Sequence, residues 1–372
     1  MKKLSMKKLS IVLLLLILLV GCGGNAAPPE SSAPASLADL PEEGLVMAME
    51  RPIYDPSVTS CIYFIRNGTQ ETVEFGEPYR LQYWKNGGWQ DPQEDACFTA
   101  IGYCLPPGET KALSCWLGEN QKPGNYRLVK EVDGETLYAQ FKLGESIYTA
   151  EKPYGFVPLE ELDRVLDVQG PISPEGGPGD LAEFVQKTRL DVPCQLRLVQ
   201  GDGGVTDVIY ENRHFLLRTL SEGQIAQTRF SYLVTDGQDL FLSNRAEWDE
   251  EYKSVKVLPE AGTELVQMVQ DIAAARLEGN GARFRIWSED GVWDAMFTDV
   301  PTEFGVGWQK PGEGSWGQMF DLQYWDGMET AILDLSWQED NTLLLTCQTS
   351  NGAISLLTFD PQSKQLCSAS AN

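Results

Sequence analysis

Asn125-Tyr126-Arg127-Leu128-Val129-Lys130-Glu131-Val132 is the clearest strand signal in the N-terminal part of the chain, and it follows the turn dipeptide Pro123-Gly124. Further short alternating runs lie on either side of it, separated by turn residues about every ten positions. These runs are Cys61–Arg66, Tyr79–Trp84, Thr110–Leu117 and Thr136–Leu143. Short strands at this spacing predict an antiparallel β-sandwich.

Two cysteines fall on the predicted inner faces of these strands. Because successive side chains of a strand point to opposite faces, Cys61 shares a face with Tyr63 and Ile65. Cys115 shares a face with Leu113 and Leu117 in the same way. The alternation therefore predicts that both thiols point into the core.

Six motifs lie in order between residues 44 and 144. They are Tyr54-Asp55-Pro56-Ser57-Val58-Thr59-Ser60, Arg66-Asn67-Gly68-Thr69, Phe75-Gly76-Glu77-Pro78-Tyr79, Phe98-Thr99-Ala100-Ile101-Gly102-Tyr103, Leu105-Pro106-Pro107-Gly108-Glu109-Thr110 and Pro123-Gly124-Asn125-Tyr126-Arg127-Leu128-Val129-Lys130. With them, the segment resembles a bacterial immunoglobulin-like domain that is common in surface lipoproteins of Firmicutes. The resemblance implies a seven-strand sandwich over residues 44–146 without catalytic residues. It also implies a tyrosine corner, in which the phenol of Tyr126 bonds to upstream backbone.

The segment departs from the family pattern in its four cysteines. Cys61 and Cys115 share the predicted core, and Cys97 and Cys104 flank one short loop, so we favour the disulfides Cys61–Cys115 and Cys97–Cys104. Four cysteines allow three pairings, and four free thiols are the alternative.

Leu19-Val20-Gly21-Cys22 resembles the lipobox of bacterial lipoprotein precursors. It follows the lysines Lys2, Lys3, Lys7 and Lys8 and the apolar run Ile11–Val20, which is too short to span a bilayer. The resemblance implies that residues 1–21 are a signal peptide and that Cys22 becomes the lipid-bearing first residue, with palmitate-like acyl chains. We expect a protein held on the extracytoplasmic face of the cell membrane by Cys22, with residues 22–43 as a flexible tether. An ordinary secretory signal is the alternative.

The charge of the chain restricts its partners. The formal net charge is −25, and loss of the four signal lysines leaves 25 basic residues against 54 acidic ones. Such a negative charge disfavours binding to nucleic acid and to anionic lipid surfaces. We expect no nucleic-acid partner. Seven cysteines would remain after lipidation of Cys22, so at least one is unpaired within the chain, and the pairing of Cys194, Cys347 and Cys367 stays open.

A second domain is expected after the Pro/Gly-rich linker 147–179. A short helix capped by Asp180 and a longer one at Gly262–Leu277 alternate with strand patterns, which predicts a mixed α+β domain with antiparallel sheet over residues 180–372. Subdomains at 180–280 and 281–372 are the alternative. The longer helix has an apolar stripe on one face, which comprises Leu265, Met268, Val269 and Ile272.

The sequence predicts no enzyme, no cofactor and no metal site. His214 is the only histidine, and we interpret it as a half-exposed strand residue. No Gly-x-Ser-x-Gly elbow, His-Glu-x-x-His motif, phosphate loop or dinucleotide fingerprint is present in the sequence. Seven aspartates mostly follow or precede Gly or Asn and indicate turns: Asp202, Asp236, Asp239, Asp290, Asp294, Asp326 and Asp340. A carboxylate-based glycan hydrolase needs only two acids and therefore stays an alternative.

Tryptophan is the one enrichment that points to binding. Six of the ten tryptophans fall between residues 287 and 337. Trp308 and Trp316 flank the Gly/Pro-rich segment Gln309–Gly314, and we predict them as a loop pair that forms a ligand surface. Trp287, Trp325 and Trp337 lie in strand patterns and are predicted to belong to the core.

Three functions are compatible with these features. The first is a non-enzymatic, lipid-anchored surface protein whose Ig-like module is a spacer or adhesion unit and whose C-terminal domain binds a protein or an envelope glycan. The second is an accessory or sensory lipoprotein that partners a membrane protein. The third is the glycan hydrolase. The sequence leaves the ligand, the process and the oligomeric state open.

Overall fold

The protein is mainly β. A computed structural model describes residues 37–91, 98–119, 121–156, 158, 178–199, 205–221, 224–252, 254–258, 260–280, 282–298, 300–310, 314–322, 324–325 and 328–368. The chain divides into two compact units, of which the first ends at Gly155 and the second begins at Phe156. Two α-helices are found among the described residues, and antiparallel sheets make up most of the remainder, which confirms the predicted fold class.

The described part of the first unit contains ten strands, three more than the seven that the resemblance implies, after a 3-10 turn at Leu37–Asp39. They are β1 (Gly44–Met49), β2 (Ile53–Tyr54), β3 (Ser60–Gly68), β4 (Val73–Gly76), β5 (Arg80–Lys85), β6 (Gly88–Gln90), β7 (Gly102–Leu105), β8 (Thr110–Trp116), β9 (Gly124–Val132) and β10 (Glu135–Leu143). They form one sheet of order β1-β3-β8, one of order β2-β10-β9-β5-β6, and the two-stranded sheet β4-β7.

Side chains from all three sheets meet in one core. Ile65 of β3, Phe75 of β4 and Leu128 of β9 are buried in the same cluster. Alternation explains why these strands form, since β10 places every second residue, from Leu137 to Leu143, in the interior. The short strands β4 and β7 were missed by the sequence analysis because four residues show little periodicity.

The tyrosine corner is present. The Tyr126 hydroxyl donates a hydrogen bond to the carbonyl oxygen of Lys122 at 2.8 Å, which confirms the expectation from the resemblance. A second buried polar residue, Asn67, holds the turn after β3: its Nδ2 donates to the carbonyls of Glu71 and Leu105, both at 2.8 Å. Its Oδ1 accepts from the backbone N–H of Thr69 at 3.0 Å. The buried amide is therefore satisfied at both ends.

The second unit contains two helices and sixteen strands in its described part. They are α1 (Pro178–Arg189), β11 (Cys194–Val199), β12 (Val205–Glu211), β13 (His214–Ser221), β14 (Gln224–Phe230), β15 (Tyr232–Thr235), β16 (Leu240–Ser243), β17 (Val255–Leu258), α2 (Thr263–Asn280), β18 (Phe284–Trp287), β19 (Trp293–Phe297), β20 (Glu303–Lys310), β21 (Gly314–Asp321), β22 (Tyr324–Trp325), β23 (Met328–Trp337), β24 (Leu343–Thr349), β25 (Ile354–Asp360) and β26 (Gln365–Ser368). Its sheets are the antiparallel meanders β11–β14, β15–β17, β18–β21 and β22–β26.

Two large hydrophobic clusters lie in the described part of the second unit, beside a smaller one that comprises Tyr232, Val234, Phe241 and Ala246. The first joins α1 and α2 to the sheets β11–β14 and β15–β17, and it includes Leu265, Val269 and Ile272 of the predicted stripe, with Met268 packed against it. The second lies between the sheets β18–β21 and β22–β26. Helix α1 begins at Pro178, not after Asp180, because proline has the backbone angle and the missing N–H that suit the first helical turn.

Candidate functional site

Three tryptophans lie side by side on neighbouring strands of the sheet β18–β21. Trp293 of β19 is the direct partner of Trp308 of β20, and Trp308 is the direct partner of Trp316 of β21. Directly opposed residues of antiparallel strands point to the same face, and neighbouring strands lie about 4.8 Å apart. All three residues are half-buried. We call Trp293, Trp308 and Trp316 the tryptophan row.

The prediction that Trp308 and Trp316 lie on loops is wrong. β20 extends to Lys310 and β21 starts at Gly314, so both residues belong to strands. Glycines inside these strands concealed the pattern, because glycine has low strand propensity. The structure brings the predicted pair together and adds Trp293, which the sequence analysis did not single out as part of a surface.

The glycines of β20 are needed by the opposite face of the sheet. A Cβ atom on Gly307 would lie 2.4 Å from Oδ1 of Asp294, and one on Gly305 would lie 2.8 Å from Sδ of Met319. Asp294 forms an ion pair with Arg285, with 2.9 Å between the carboxylate oxygen and Nε. Glycine at position 307 therefore allows this ion pair to approach the back of the strand that carries Trp308.

Polar groups lie at both ends of the tryptophan row. The ammonium of Lys364 lies 4.5 Å from the ring centroid of Trp316 and donates to Oε1 of Gln318 at 3.2 Å. At the other end, the backbone N–H of Trp293 donates to Oγ of Ser288 at 2.9 Å. A cation over an indole face is an attractive contact of about 0.5–1 kcal/mol at an exposed site. Lys364 thus holds one end of the row in place.

The expectation that Trp287 and Trp337 belong to the core is met in different degrees. Trp287 is buried, with 8% of its surface exposed, whereas Trp337 is half-buried and packs against the second cluster. Nothing is described of the side chain of Trp325.

His214 differs from the prediction, since it is buried and not half-exposed. Its ring lies on that of Trp287, with 4.4 Å between the centroids, and its Nε2 lies 2.9 Å from a guanidinium nitrogen of Arg229. Nδ1 lies 3.3 Å from the carbonyl oxygen of Asn212. Burial and the positive charge of Arg229 lower the pKa of His214 to about 4. The imidazole is therefore neutral at pH 7 and accepts a hydrogen bond from Arg229.

Cys61 and Cys115 both point into the core, as the alternation predicts, whereas the disulfide between them stays a prediction. They are directly opposed in β3 and β8, both are buried, and their Sγ atoms lie 3.1 Å apart as free thiols. Burial, followed by the hydrogen bond with Cys115, raises the pKa of Cys61. Cys97 lies outside the described residues, so the Cys97–Cys104 pairing stays a prediction. Cys104 is exposed, and its thiol lies 3.8 Å from Oε1 of Glu74.

The aspartates mostly occupy turns, as predicted. Asp236, Asp290 and Asp340 each accept backbone N–H groups two residues ahead. Asp294 is different, because it lies within β19 and its pKa is raised by burial. Asp202 and Asp326 lie outside the described residues. Among the residues that the structure describes, no group of three or more His, Cys, Asp or Glu could hold a metal ion.

Cys22 and the signal segment 1–21 lie outside the described residues. Within the described part of the chain, no helix has both the length and the apolar character needed to cross a membrane.

Comparisons with solved structures give only distant similarity. The periplasmic gluconolactonase of Pseudomonas aeruginosa is 12% identical over 86% of this chain and 69% of its own, with a TM-score of 0.19. The Acinetobacter baumannii complex of the CsuC chaperone and the CsuE tip adhesion subunit is 12% identical over 59% and 92%, with a TM-score of 0.19. A puromycin hydrolase is 15% identical over 48% and 31%, with a TM-score of 0.22.

The sequence comparison identifies the first unit. No curated protein matches the chain significantly in sequence. A family model described as a bacterial Ig-like domain matches residues 41–142, in agreement with the sandwich core and the tyrosine corner of Tyr126. Residues 41–142 are a bacterial Ig-like domain.

Proposed function

We propose that this protein is a lipid-anchored, non-enzymatic protein of the cell surface that binds an envelope glycan through the tryptophan row of its second unit. The observation that carries the proposal is the register that places Trp293, Trp308 and Trp316 next to one another, at the end of the sheet face whose buried part includes Ala295 and Val306.

The geometry of the row suits a chain of sugar rings. Three indoles on successive strands span about 10 Å. Indole rings bury much apolar area at low entropic cost and can stack on the C–H faces of sugars. Because the row lies on rigid strands and not on loops, little conformational entropy is lost on binding.

The Ig-like domain and the predicted anchor explain how such a surface would be presented. The Ig-like domain would act as a spacer between the lipid on Cys22 and the second unit. The net charge of −25 disfavours direct contact of the protein with anionic lipid, so the binding unit would stay away from the membrane surface.

Co-sedimentation tests the proposal. The full-length protein is mixed with purified cell walls and with insoluble neutral glycans at low and high salt. The double variant Trp308→Ala, Trp316→Ala removes two members of the row and keeps Trp293, which also packs against the core. The matched control is Trp84→Ala, Trp89→Ala, because these residues form a similar half-buried cross-strand pair in the Ig-like domain.

We expect saturable, salt-resistant binding by the unsubstituted protein. The affinity should fall at least about tenfold in the Trp308/Trp316 variant, a loss of about 1.4 kcal/mol, and should be unchanged in the control. Binding that disappears at high salt would instead indicate a charge-driven protein partner. Equal binding of both double variants would overturn the role of the row. In a detergent-partitioning experiment, retention of the Cys22→Ala variant in the detergent phase would overturn the proposal that Cys22 carries the lipid anchor.

A further inference from the structure

A cleft of about 470 Å³ lies in the second unit where strands β14 and β18 meet the end of β23. This volume is within the range of small-molecule sites. The cleft shares Ser288 with the end of the tryptophan row, because Oγ of Ser288 accepts the N–H of Trp293. We call it the edge cleft, since β14 and β18 are edge strands of their sheets.

The edge cleft combines apolar and polar side chains. Its apolar lining consists of Leu216, Phe284, Ile286, Trp287, Leu335 and Trp337. Around them lie exposed groups that accept hydrogen bonds, including the carboxylates of Glu289, Asp334 and Glu339. A ligand that fits this lining has an apolar face and several hydroxyl groups.

Two buried donors in the lining have no acceptor. The indole nitrogens of Trp287 and Trp337 are both buried without a hydrogen-bond partner. A buried donor that is left unpaired costs about 1–3 kcal/mol. A ligand oxygen that reached either nitrogen would supply the missing acceptor.

The charge of the lining disfavours anions. Arg229 is the only basic residue among the described lining residues, and three carboxylates lie around it. Its guanidinium is already engaged, because Nε donates to the carbonyl oxygen of Glu289 at 3.0 Å and another nitrogen donates to Nε2 of His214. An acidic ligand would therefore meet uncompensated negative charge.

From these observations we infer that the edge cleft binds one neutral sugar unit, whose C–H face packs on the indoles and whose hydroxyl groups donate to the carboxylates. The inference rests on the proposed function and names the ligand class at the end of the tryptophan row. It applies to hexoses and N-acetylhexosamines and not to uronic acids.

Indole N–H resonances of the full-length protein test the inference directly. The chain has ten tryptophans, and the variants Trp287→Phe and Trp337→Phe assign the two resonances of the cleft while keeping an aromatic ring. The labelled protein is titrated with glucose, with N-acetylglucosamine and with glucuronate. The shifts are read in the unsubstituted protein, and the two variants serve only to assign the resonances.

We expect saturable shifts of the Trp287 and Trp337 resonances with one of the neutral sugars at a Kd of about 1–10 mM, and binding of glucuronate that is at least about tenfold weaker. The variant Asp334→Asn, which changes an exposed side chain, should weaken the binding of the neutral sugar about fivefold. The inference would be overturned if neither resonance shifted up to about 50 mM of either neutral sugar, or if glucuronate bound with the same affinity as the neutral sugar.

The two proposals fail separately. If cell walls bind through Trp308 and Trp316 while the cleft resonances stay unchanged, the inference is overturned and the proposed function is retained. If the cleft resonances shift and the cell walls do not bind, the cleft is supported as a sugar site and the function proposed for the tryptophan row is overturned.

Discussion

The ammonium of Lys130 donates a hydrogen bond to the carbonyl oxygen of Gly76 at 2.8 Å, although only 1% of the surface of this lysine is exposed. It also donates to the carbonyls of Glu77 and Pro78 at 3.1 and 3.0 Å. Burial lowers the pKa of Lys130 to about 8, so the amine remains mostly protonated at pH 7 and can serve three acceptors. A side chain of β9 thus holds the connection between β4 and β5.

The variant Lys130→Met should lower the free energy of unfolding by about 2–4 kcal/mol, because three carbonyls lose a charged donor. Urea denaturation monitored by tryptophan fluorescence measures this loss. Lys142→Met is the matched control, since Lys142 is an exposed lysine of the adjacent strand β10, and it should change stability by less than about 0.5 kcal/mol. Equal stability of the two variants would show that the hydrogen bonds of Lys130 make no net contribution to the free energy of unfolding.

A buried ion pair between neighbouring strands makes a second prediction. Arg197 and Asp207 are directly opposed in β11 and β12, and their two hydrogen bonds measure 2.5 and 2.7 Å. Both side chains are almost fully buried. Asp207→Ala should therefore cost about 3–5 kcal/mol in the free energy of unfolding, because it leaves a buried guanidinium without its counter-ion.

The double variant Arg197→Met, Asp207→Leu tests whether the attraction between the two charges exceeds the free energy needed to bury them. Apolar replacement of both partners should recover most of the loss, since removing both charges from a buried site is often neutral. Chemical denaturation of Arg197→Met, of Asp207→Leu and of the double variant gives the coupling free energy. A double variant as unstable as Asp207→Ala would show that the pair itself contributes the stability.

The Ig-like domain was predictable because its signals are local. Tyr126 follows a Pro-Gly turn, and the positions of Cys61 and Cys115 follow from alternation within single strands. The inward position of Lys130 could also be deduced from its spacing to Tyr126 and Leu128. Its three acceptors could not, because the β4–β5 connection lies about fifty residues earlier in the chain.

The binding surfaces were less predictable because they depend on strand register and on distant segments. The glycines of β20 concealed a strand, and without its register Trp293 could not be grouped with Trp308. The edge cleft collects segments near residues 227, 287 and 337, which no local pattern connects. Burial of His214 likewise depends on Trp287 and Arg229 from other strands.

The contact between Cys61 and Cys115 makes a prediction about oxidation. If the protein matures in an extracytoplasmic compartment, these opposed thiols should form a disulfide that adds about 2–4 kcal/mol of stability. Thiol counting in denaturant without reductant, followed by mass spectrometry, identifies the bridged residues. Reduction should destabilise the protein, and the variant Cys61→Ala should abolish the destabilisation that comes from this bridge. The variant Cys104→Ala should reduce the effect of reduction only if the Cys97–Cys104 bridge forms as well. Recovery of both Cys61 and Cys115 as free thiols would contradict the prediction.

His214 gives the protein a dependence of stability on pH that can be isolated by substitution. Its pKa of about 4 in the folded state lies below the unfolded value of about 6.5, so the unfolded chain binds a proton that the folded one does not. Stability due to this residue is complete above pH 6.5 and is lost as the pH falls toward 4. Between pH 7 and pH 5 the loss should be about 2 kcal/mol.

The variant His214→Gln keeps an acceptor for Arg229 and has no proton to gain in this range. We expect the free energy of unfolding in urea to fall by about 2 kcal/mol less for His214→Gln than for the unsubstituted protein between pH 7 and pH 5. Carboxylates titrate equally in both proteins and cancel in the comparison. Parallel pH profiles would mean that the folded protein accommodates the imidazolium, and the contact of His214 with Arg229 would then have to open at acidic pH.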